Sequence, residues 1–216
     1  MTEPLVLAID TTGEFGSLAL ARGQSVIEEV LMHSPDGYGH VLFERIDALL
    51  KTHHLTSASV DLFAAAAGPG SFTGVRVGLT AAKGLAAAHG KPAAGVSNLR
   101  ALASLGTGHR RAAILDARRG EIFAAVFDEH ANPLTPEQVA PFAVWLAALE
   151  HRAETTFVFA DPAPFLPLLG DSPAVAAGRA LAGAIARLAP GCATDPALLD
   201  ANYVRKSDAE LFWTDK

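Results

Sequence analysis

The sequence contains a single cysteine, Cys192, among its 216 residues, so no disulfide bond can form within the chain. It also lacks an uninterrupted apolar run of about 18 residues, the length that a membrane-spanning helix requires. Its first residues, Met1–Asp10, carry no basic cluster ahead of their apolar stretch, and they therefore lack the pattern of a secretory signal peptide. We expect a cytoplasmic protein that does not enter a membrane.

Basic residues are in the minority: 17 Lys and Arg against 23 Asp and Glu give a formal net charge of −6. Proteins that bind nucleic acid by themselves are more often basic, because neutralised phosphates supply much of the affinity. We therefore predict that any contact with nucleic acid is made through a partner. None of the eight histidines lies in the His-Glu-x-x-His pattern of a zinc peptidase.

Two parts of the chain repeat one pattern, in which an apolar strand, an aspartate, a polar turn with Gly-Glu and a second apolar strand follow one another. The aspartates are Asp10 and Asp116. The repeat indicates two similar half-domains that each open with a hairpin, and two unrelated hairpins are the alternative. Strand-like and helix-like segments alternate elsewhere, which predicts an α/β chain with a mixed sheet in each half. The polar segment Gly106–Arg111 separates the predicted subdomains, 1–106 and 107–216.

Local patterns predict several helices. Apolar residues at helical spacing mark two of them in the first half, and a serine is a predicted N-cap for a third. Two stretches in the second half have the composition of helix starts. These segments are Gly39–Lys51, Thr73–His89, the cap Ser97, Thr135–Gln138 and Ser172-Pro173.

The stretch GPGSFTGVRVGLTAAKGLA, Gly68–Ala86, has the glycines and hydroxyls of a phosphate-binding loop, but its spacing departs from each standard motif. A Walker A loop has Lys directly after its last glycine, where this chain has Val75. A dinucleotide fingerprint has one residue fewer between its last two glycines, and a nucleophile elbow has glycines two residues on either side of its serine. The pattern instead predicts a strand, a turn and a helix capped by Ser71 or Thr73. Its N-terminus can attract an anion, as any capped helix can.

Small residues recur at every fourth position of that predicted helix and form one ridge: Gly74, Gly78, Ala82 and Ala86. A glycine inside a helix costs about 1 kcal/mol relative to alanine. Unusually close packing against the ridge would compensate this cost. Two interpretations stay open: the ridge packs inside its own domain, or it receives a helix of another subunit, with Val75 and Leu79 in contact.

The glycine stretch, together with LDARRGEIF at Leu115–Phe123, closely resembles the TsaB (YeaZ) family of bacterial tRNA threonylcarbamoyladenosine-biosynthesis subunits. The likeness runs from the first strand almost to the C-terminus. It implies an α/β fold of two related actin-like ATPase (ribonuclease H-like) subdomains. The other segments that agree in order are Leu7–Thr12, His33-Ser34, Gly95–Ala103 and Tyr203–Arg205.

The resemblance also implies a function: a non-catalytic scaffold and activator that works with the catalytic subunit TsaD and the small ATPase TsaE. The complex transfers a threonylcarbamoyl group to the adenosine next to the anticodon in tRNAs that read codons starting with A. The chain is expected to form a homodimer when alone and a heterodimer with TsaD, through helices of its N-terminal half. The matching interface positions are Val41, Gly74, Val75, Arg76, Gly78, Leu79, Ala82, Lys83 and Ala86.

In the actin-like fold, nucleotide phosphates lie between two hairpins rich in glycine and hydroxyl residues. The second hairpin here carries Arg118 and Arg119 where small residues are needed, because only glycine lets a backbone approach phosphate closely. We therefore expect that the chain requires no cofactor. Weak binding of ATP or ADP with Mg²⁺ stays open, against the alternative that the two aspartates cap turns. The weak candidates for such binding are Asp10, Thr11, Thr12 and Asp116.

An alternative function within the same fold is a small-molecule kinase or ATPase, whose ATP hydrolysis would fall on Asp10→Ala. A peptidase has neither a nucleophile nor a metal constellation in this sequence, and no His-x-x-x-His pair of the TsaD kind occurs on a predicted helix. Arg76 is predicted either to pair across the interface or to be solvated. The Arg118-Arg119 pair is either surface charge or faces the partner or tRNA.

Overall fold

A computed structural model describes residues 3–205 of the chain. The strands are β1 (Leu5–Asp10), β2 (Phe15–Arg22), β3 (Ser25–His33), β4 (Leu62–Gly68), β5 (Ala93–Ser97), β6 (Arg110–Arg118), β7 (Glu121–Asp128), β8 (Gln138–Pro141), β9 (Thr156–Phe159), β10 (Ala174–Ala176) and β11 (Ala193–Thr194). The α-helices are α1 (Leu42–Thr52), α2 (Phe72–His89), α3 (Asn98–Ser104), α4 (Phe142–Ala148), α5 (Leu166–Leu169) and α6 (Ala182–Leu188). Among the described residues, no helix combines the length and the apolar character that crossing a bilayer would take.

The strands form two mixed sheets that share one strand order. In the first sheet, β1 pairs antiparallel with β2 and parallel with β4, and the order is β11-β5-β4-β1-β2-β3. In the second sheet, β6 takes the place of β1, and the order is β10-β9-β6-β7-β8. Asp10 ends β1 and Asp116 lies near the corresponding end of β6. The predicted repeat, with a mixed sheet in each half, is confirmed.

Helices cover the outer faces of both sheets and fill the space between them. α1 and α2 pack on one face of the first sheet, around buried residues such as Leu7 and Phe63. α4 and α5 pack on the outer face of the second sheet around Phe157. α3 and α6 lie between the sheets, in a cluster that joins Ala8 of the first sheet to Phe127 of the second. The core is therefore continuous from one half of the chain to the other.

The first half follows the local predictions closely. The two predicted helices are α1 and α2, and both capping serines are found. Ser71 Oγ accepts a hydrogen bond from the Gly74 N–H at 3.3 Å, and Ser97 Oγ accepts one from the Arg100 N–H at 3.2 Å. A side-chain oxygen at this position satisfies an N–H that the first turn of a helix leaves free.

Two predicted helix starts in the second half are wrong. Thr135 Oγ1 accepts a hydrogen bond from the Val126 N–H at 2.9 Å, and the chain continues as β8 along β7. The next helix begins only after Pro141. Ser172-Pro173 leads into β10, which pairs with β9, and α6 starts later at Ala182. At both places, pairing with a neighbouring strand outweighs a weak local preference for helix.

The chain passes to the second sheet at Arg110, close to the predicted boundary, and later returns to the first. α6 packs on the first sheet, where Ser17 Oγ accepts hydrogen bonds from the N–H groups of Leu181 and Ala182. β11 then pairs with β5. The division into 1–106 and 107–216 stays a prediction, and the end of the tail, 206–216, lies outside the described residues.

Candidate functional site

The first hairpin surrounds a buried aspartate. Asp10 Oδ1 accepts hydrogen bonds from the Thr12 N–H at 2.9 Å and from the Thr12 hydroxyl at 2.7 Å. Asn98 Nδ2 donates to Thr12 Oγ1 at 2.7 Å, and Asn98 Oδ1 accepts from the Gly68 N–H at 3.0 Å. This network ties the hairpin to the end of β4 and to the start of α3. Burial raises the pKa of the Asp10 carboxyl, and the hydrogen bonds from Thr12 oppose that rise.

The glycine-rich stretch packs directly on that hairpin. A Cβ at Gly70 would lie 2.7 Å from Thr12 Cβ, and one at Gly78 would lie 2.7 Å from Thr11 Oγ1. Thr11 Oγ1 also donates to the Gly74 carbonyl at 2.7 Å. Only residues without a side chain allow α2 to come this close to the hairpin.

The small-residue ridge of α2 therefore faces its own domain, as the first of the two interpretations requires. Five of the positions predicted for the interface are buried against the rest of the chain in this conformation, and their contact with a partner stays a prediction. These positions are Val75, Gly78, Leu79, Ala82 and Ala86. Gly74, Val41 and Lys83 are half-buried, and Arg76 is exposed.

The opposite face of α2 is open and also consists mostly of small residues. We call it the outer face of α2: Thr73, Arg76, Thr80, Gly84 and Ala87. A Cβ at Gly84 would meet no atom within 4 Å. On α1, which packs into the same core cluster as α2, Phe43 is 58% exposed. The sequence also contains this second row of small residues, but only the inward ridge was predicted to be a contact surface.

Arg76 is held by two aromatic residues at the start of α2. Its guanidinium carbon lies 3.7 Å from the centre of the Phe72 ring, and its Nε donates to the Tyr203 hydroxyl at 2.9 Å. The two rings lie 5.3 Å apart. Arg76 is thus exposed but already engaged within the chain, which neither predicted role described.

The second hairpin is built differently from the first. Asp116 Oδ1 accepts a hydrogen bond from the Arg118 N–H at 2.8 Å, so this aspartate caps the turn. Arg118, Arg119 and Gly120 follow with φ of 64°, 56° and 78°. Left-handed backbone at two arginines is uncommon. The turn presents long cationic side chains in place of the small residues that a phosphate cradle requires.

Sequence reasoning missed a segment that joins the two halves. We call Leu199–Arg205 the C-terminal strap. It is held by Glu137, whose Oε2 accepts a hydrogen bond from Asn202 Nδ2 at 2.6 Å. The resemblance pointed to Tyr203–Arg205 without giving these residues a position, and no sequence signal marked Glu137.

Two mixed sheets of one strand order, each opened by a hairpin and separated by shared helices, define an actin-like ATPase fold of two ribonuclease H-like subdomains. Residues 38–182 match the family model described as "TsaD: tRNA N6-adenosine threonylcarbamoyltransferase". The chain is 32% identical over 153 residues to the "tRNA threonylcarbamoyladenosine biosynthesis protein TsaB" of Bacillus subtilis (strain 168), a match that covers 68% of this chain and 66% of that protein. On these matches, the chain belongs to the TsaB (YeaZ) members of the family that the TsaD model describes.

Two further comparisons cover nearly the whole chain. An uncharacterized protein of Mycobacterium tuberculosis (strain H37Rv) is 30% identical over 217 residues, which span 95% of this chain and 93% of that protein. A Pseudomonas aeruginosa crystal structure, described as "an uncharacterized protein with similarity to peptidase YEAZ", matches with a TM-score of 0.78 at 24% identity and covers 94% of this chain and 100% of its own. That likeness shows the fold alone. The chain spans 51% to 66% of the length of the curated TsaB relatives that it matches.

The actin-like class implies a nucleotide with Mg²⁺ between the two hairpins, and the residues here do not fit that group. Asp10 is buried and its Oδ1 is taken by Thr12, while the second turn carries Arg118 and Arg119. Among the described residues, no group of three or more His, Cys, Asp or Glu side chains is placed to hold a metal ion. The hairpins therefore contribute hydrogen bonds within the chain rather than a phosphate cradle.

Proposed function

We propose that the chain is a non-catalytic scaffold and activator subunit for threonylcarbamoyl transfer to tRNA, acting with a TsaD catalytic subunit and a TsaE ATPase. The observation that carries this proposal is the match to curated proteins named for tRNA threonylcarbamoyladenosine biosynthesis. The target is the adenosine next to the anticodon in tRNAs that read codons starting with A. The net charge of −6 supports contact with tRNA through the complex rather than through this chain alone.

The construction of the two hairpins supports the non-catalytic role. A nucleotide-dependent enzyme of this fold needs small residues on both sides of the phosphates, and here the second hairpin carries two arginines. We accordingly propose that the chain needs no nucleotide or metal of its own. Its contribution is to bind the partner and hold it in an active arrangement.

We propose the exposed sides of α1 and α2 as the partner surface. The outer face of α2 is lined by small residues, so the axis of a partner helix can come close to it, and Phe43 supplies an exposed aromatic side chain on α1. Arg76, at the N-terminal end of the same face, is retained from the predicted interface, with Val41 and Lys83 at its edges. TsaD and a second copy of this chain would compete for this surface.

Light scattering after size exclusion tests the partner. The purified chain is mixed with TsaD from the same organism, and we expect a one-to-one complex to replace a homodimer. Gly84→Arg should abolish both assemblies, because the long side chain fills the space that a close partner helix needs. Val144→Arg, at an exposed position of α4, is the matched control and should bind normally. Two unmixed peaks with the unaltered chain would contradict the proposal.

An activity measurement tests the non-catalytic role separately. In a mixture of TsaD, TsaE, tRNA, threonylcarbamoyl-adenylate and ATP, we expect tRNA modification to depend on addition of this chain. The chain alone should hydrolyse no ATP above the blank. Hydrolysis by the chain alone that falls in Asp10→Asn would overturn the proposal and favour the kinase or ATPase alternative.

A further inference from the structure

The C-terminal strap begins on the first half and runs over the carboxyl end of β4. Lys83 Nζ donates a hydrogen bond to the Leu199 carbonyl at 2.8 Å, and the Asn202 N–H donates to the Ala67 carbonyl at 2.7 Å. A Cβ at Gly68 would lie 2.9 Å from the Asn202 carbonyl oxygen. The strap therefore lies directly on the strand end, and glycine is the residue that allows this approach.

The strap ends on the second half. Arg205 Nη1 donates to the Ala117 carbonyl at 2.9 Å, and the other terminal nitrogen pairs with the Glu121 carboxylate. Glu137 joins the two halves from the side, because its Oε2 accepts from Asn202 and its Oε1 accepts from the Ser97 hydroxyl. These contacts connect the two halves of the chain.

Apolar contacts fix the strap between these polar ends. Leu199 is buried and, with Ala201, packs against the cluster beneath α1 and α2. Val204 packs against the cluster that the two sheets share. The strap is thus anchored in two separate parts of the core, and its polar groups have a fixed register.

Lys83 and Arg76 donate to Leu199 and Tyr203 of the strap, but the groups that receive Asn202 and Arg205 are all hydrogen-bond acceptors. They are the carbonyl oxygens of Ala67 and Ala117 and the carboxylates of Glu121 and Glu137. Their partners on the strap are a backbone N–H, a side-chain amide and a guanidinium, which are donors only at the atoms involved. A ligand with phosphate oxygens would meet like charge and unmatched acceptors at this place.

We propose that these four groups form a binding crevice for a cationic, donor-rich peptide segment, and that the chain's own strap is its resident ligand. The crevice lies at the carboxyl ends of the strands, where ligands of open α/β sheets bind, and it selects a basic peptide over a nucleotide. A competing peptide enters only when the strap leaves. This inference rests on the strap contacts, two of which involve Arg76 and Lys83 of the proposed partner surface, and it does not depend on the identity of the partner.

The test uses the full chain and a labelled peptide with the sequence of Ala201–Arg205, acetylated and amidated at its ends. Arg205→Glu places a carboxylate beside Glu121, and the repulsion should weaken the strap. Fluorescence polarisation should show peptide binding to Arg205→Glu that is at least about tenfold tighter than to the unaltered chain, since a charged hydrogen bond of this kind is lost. Lys51→Glu, the same charge reversal at an exposed position of α1, should bind like the unaltered chain.

Hydrogen exchange on the same proteins shows whether Arg205→Glu releases the strap while the rest of the chain stays folded. In Arg205→Glu, we expect the Asn202 amide to exchange about tenfold faster or more, while amides of β2 and β3 keep their protection. Equal peptide affinity for all three proteins, or unchanged exchange at Asn202, would overturn the proposal. Labelled ATP in place of the peptide should bind none of them, and tighter ATP binding to Arg205→Glu would show a phosphate site under the strap instead.

Discussion

The two halves of the chain repeat one strand order, yet they use their first hairpins in opposite ways. Asp10 is 2% exposed and lies inside a network with Thr12 and Asn98, whereas the Asp116 side chain is 56% exposed and caps a turn of two arginines and a glycine. The first hairpin is a packing element beneath α2, and the second is a surface loop. A phosphate cradle needs small residues on both hairpins, so the two arginines of the second hairpin support the proposal that this chain needs no nucleotide of its own.

The helices of the two halves also differ, because those that cover the first sheet are longer than those that cover the second. α1 and α2 contain 11 and 18 residues, while α4 and α5 contain 7 and 4. A long helix with small residues on its exposed side offers a continuous surface, and short helices do not. The first half therefore carries the proposed partner surface, whereas both halves contribute residues that hold the C-terminal strap.

The largest effect is expected from Gly78→Arg, on the inner face of α2. A Cβ there would lie 2.7 Å from Thr11 Oγ1 and 3.7 Å from Ile9 Cγ2, so the rest of the side chain has no space. Overpacking costs about 1–3 kcal/mol, and an unpaired buried charge adds more. We expect the free energy of unfolding to fall by more than about 3 kcal/mol, measured by urea titration with circular dichroism.

Gly84→Arg makes the same change on the outer face and is the matched control. No atom lies within 4 Å of a Cβ at this position, and arginine is the better helix former. We expect no loss of stability at protein concentrations at which the unaltered chain is a monomer. If the two variants unfolded at the same urea concentration, the assignment of inner and outer faces to α2 would be wrong.

Gly78 and Gly84 also show which features of the structure could be predicted from the sequence. The hairpin repeat, the mixed sheets and the serine caps were predictable, because apolar periodicity and capping are local signals. The inward face of α2 was not, since small residues line both sides and the choice depends on the distant hairpin residue Thr11. The contact between Glu137 and Asn202 was not predictable either, because a polar contact between distant segments leaves no periodic pattern.

Asn98→Ala tests the buried network of the first half. Asn98 is 1% exposed, and its loss leaves the Gly68 N–H without its partner. An unsatisfied buried donor costs about 1–3 kcal/mol, and thermal unfolding should show a decrease of that size. The comparison in the second half is Asn132→Ala, where an exposed amide donates to Asp128 Oδ2 at 2.9 Å. There we expect the free energy of unfolding to change by no more than about 0.5 kcal/mol. Equal losses in the two variants would contradict the contrast between a buried network in the first half and an exposed turn in the second.

The buried charge of Asp10 predicts a dependence on pH. Burial raises the native pKa of its carboxyl above the ordinary value of 3.8, so the native state binds this proton more tightly than the unfolded state does. Its contribution to stability is therefore present below pH 3.8 and is lost as the pH rises through the native pKa. Asp10→Asn keeps an acceptor for Thr12 without the charge. The free energy of unfolding of Asp10→Asn minus that of the unaltered chain should be larger at pH 7 than at low pH. The same difference at both pH values would contradict the raised pKa.

The smallest effects distinguish two glycines whose surroundings are equally empty. A Cβ would meet nothing within 4 Å at Gly84 or at Gly120, so packing cannot differ between the alanine variants. Gly84 lies inside α2, and alanine should raise the free energy of unfolding by about 0.8–1 kcal/mol. Gly120 has φ of 78°, which disfavours any side chain, and alanine should lower it by about 1–2 kcal/mol. Thermal unfolding of both variants measures the difference. A stable Gly120→Ala would mean that the second hairpin relaxes to another turn, and Arg118 and Arg119 would then leave the left-handed conformation that sets them apart from the first hairpin.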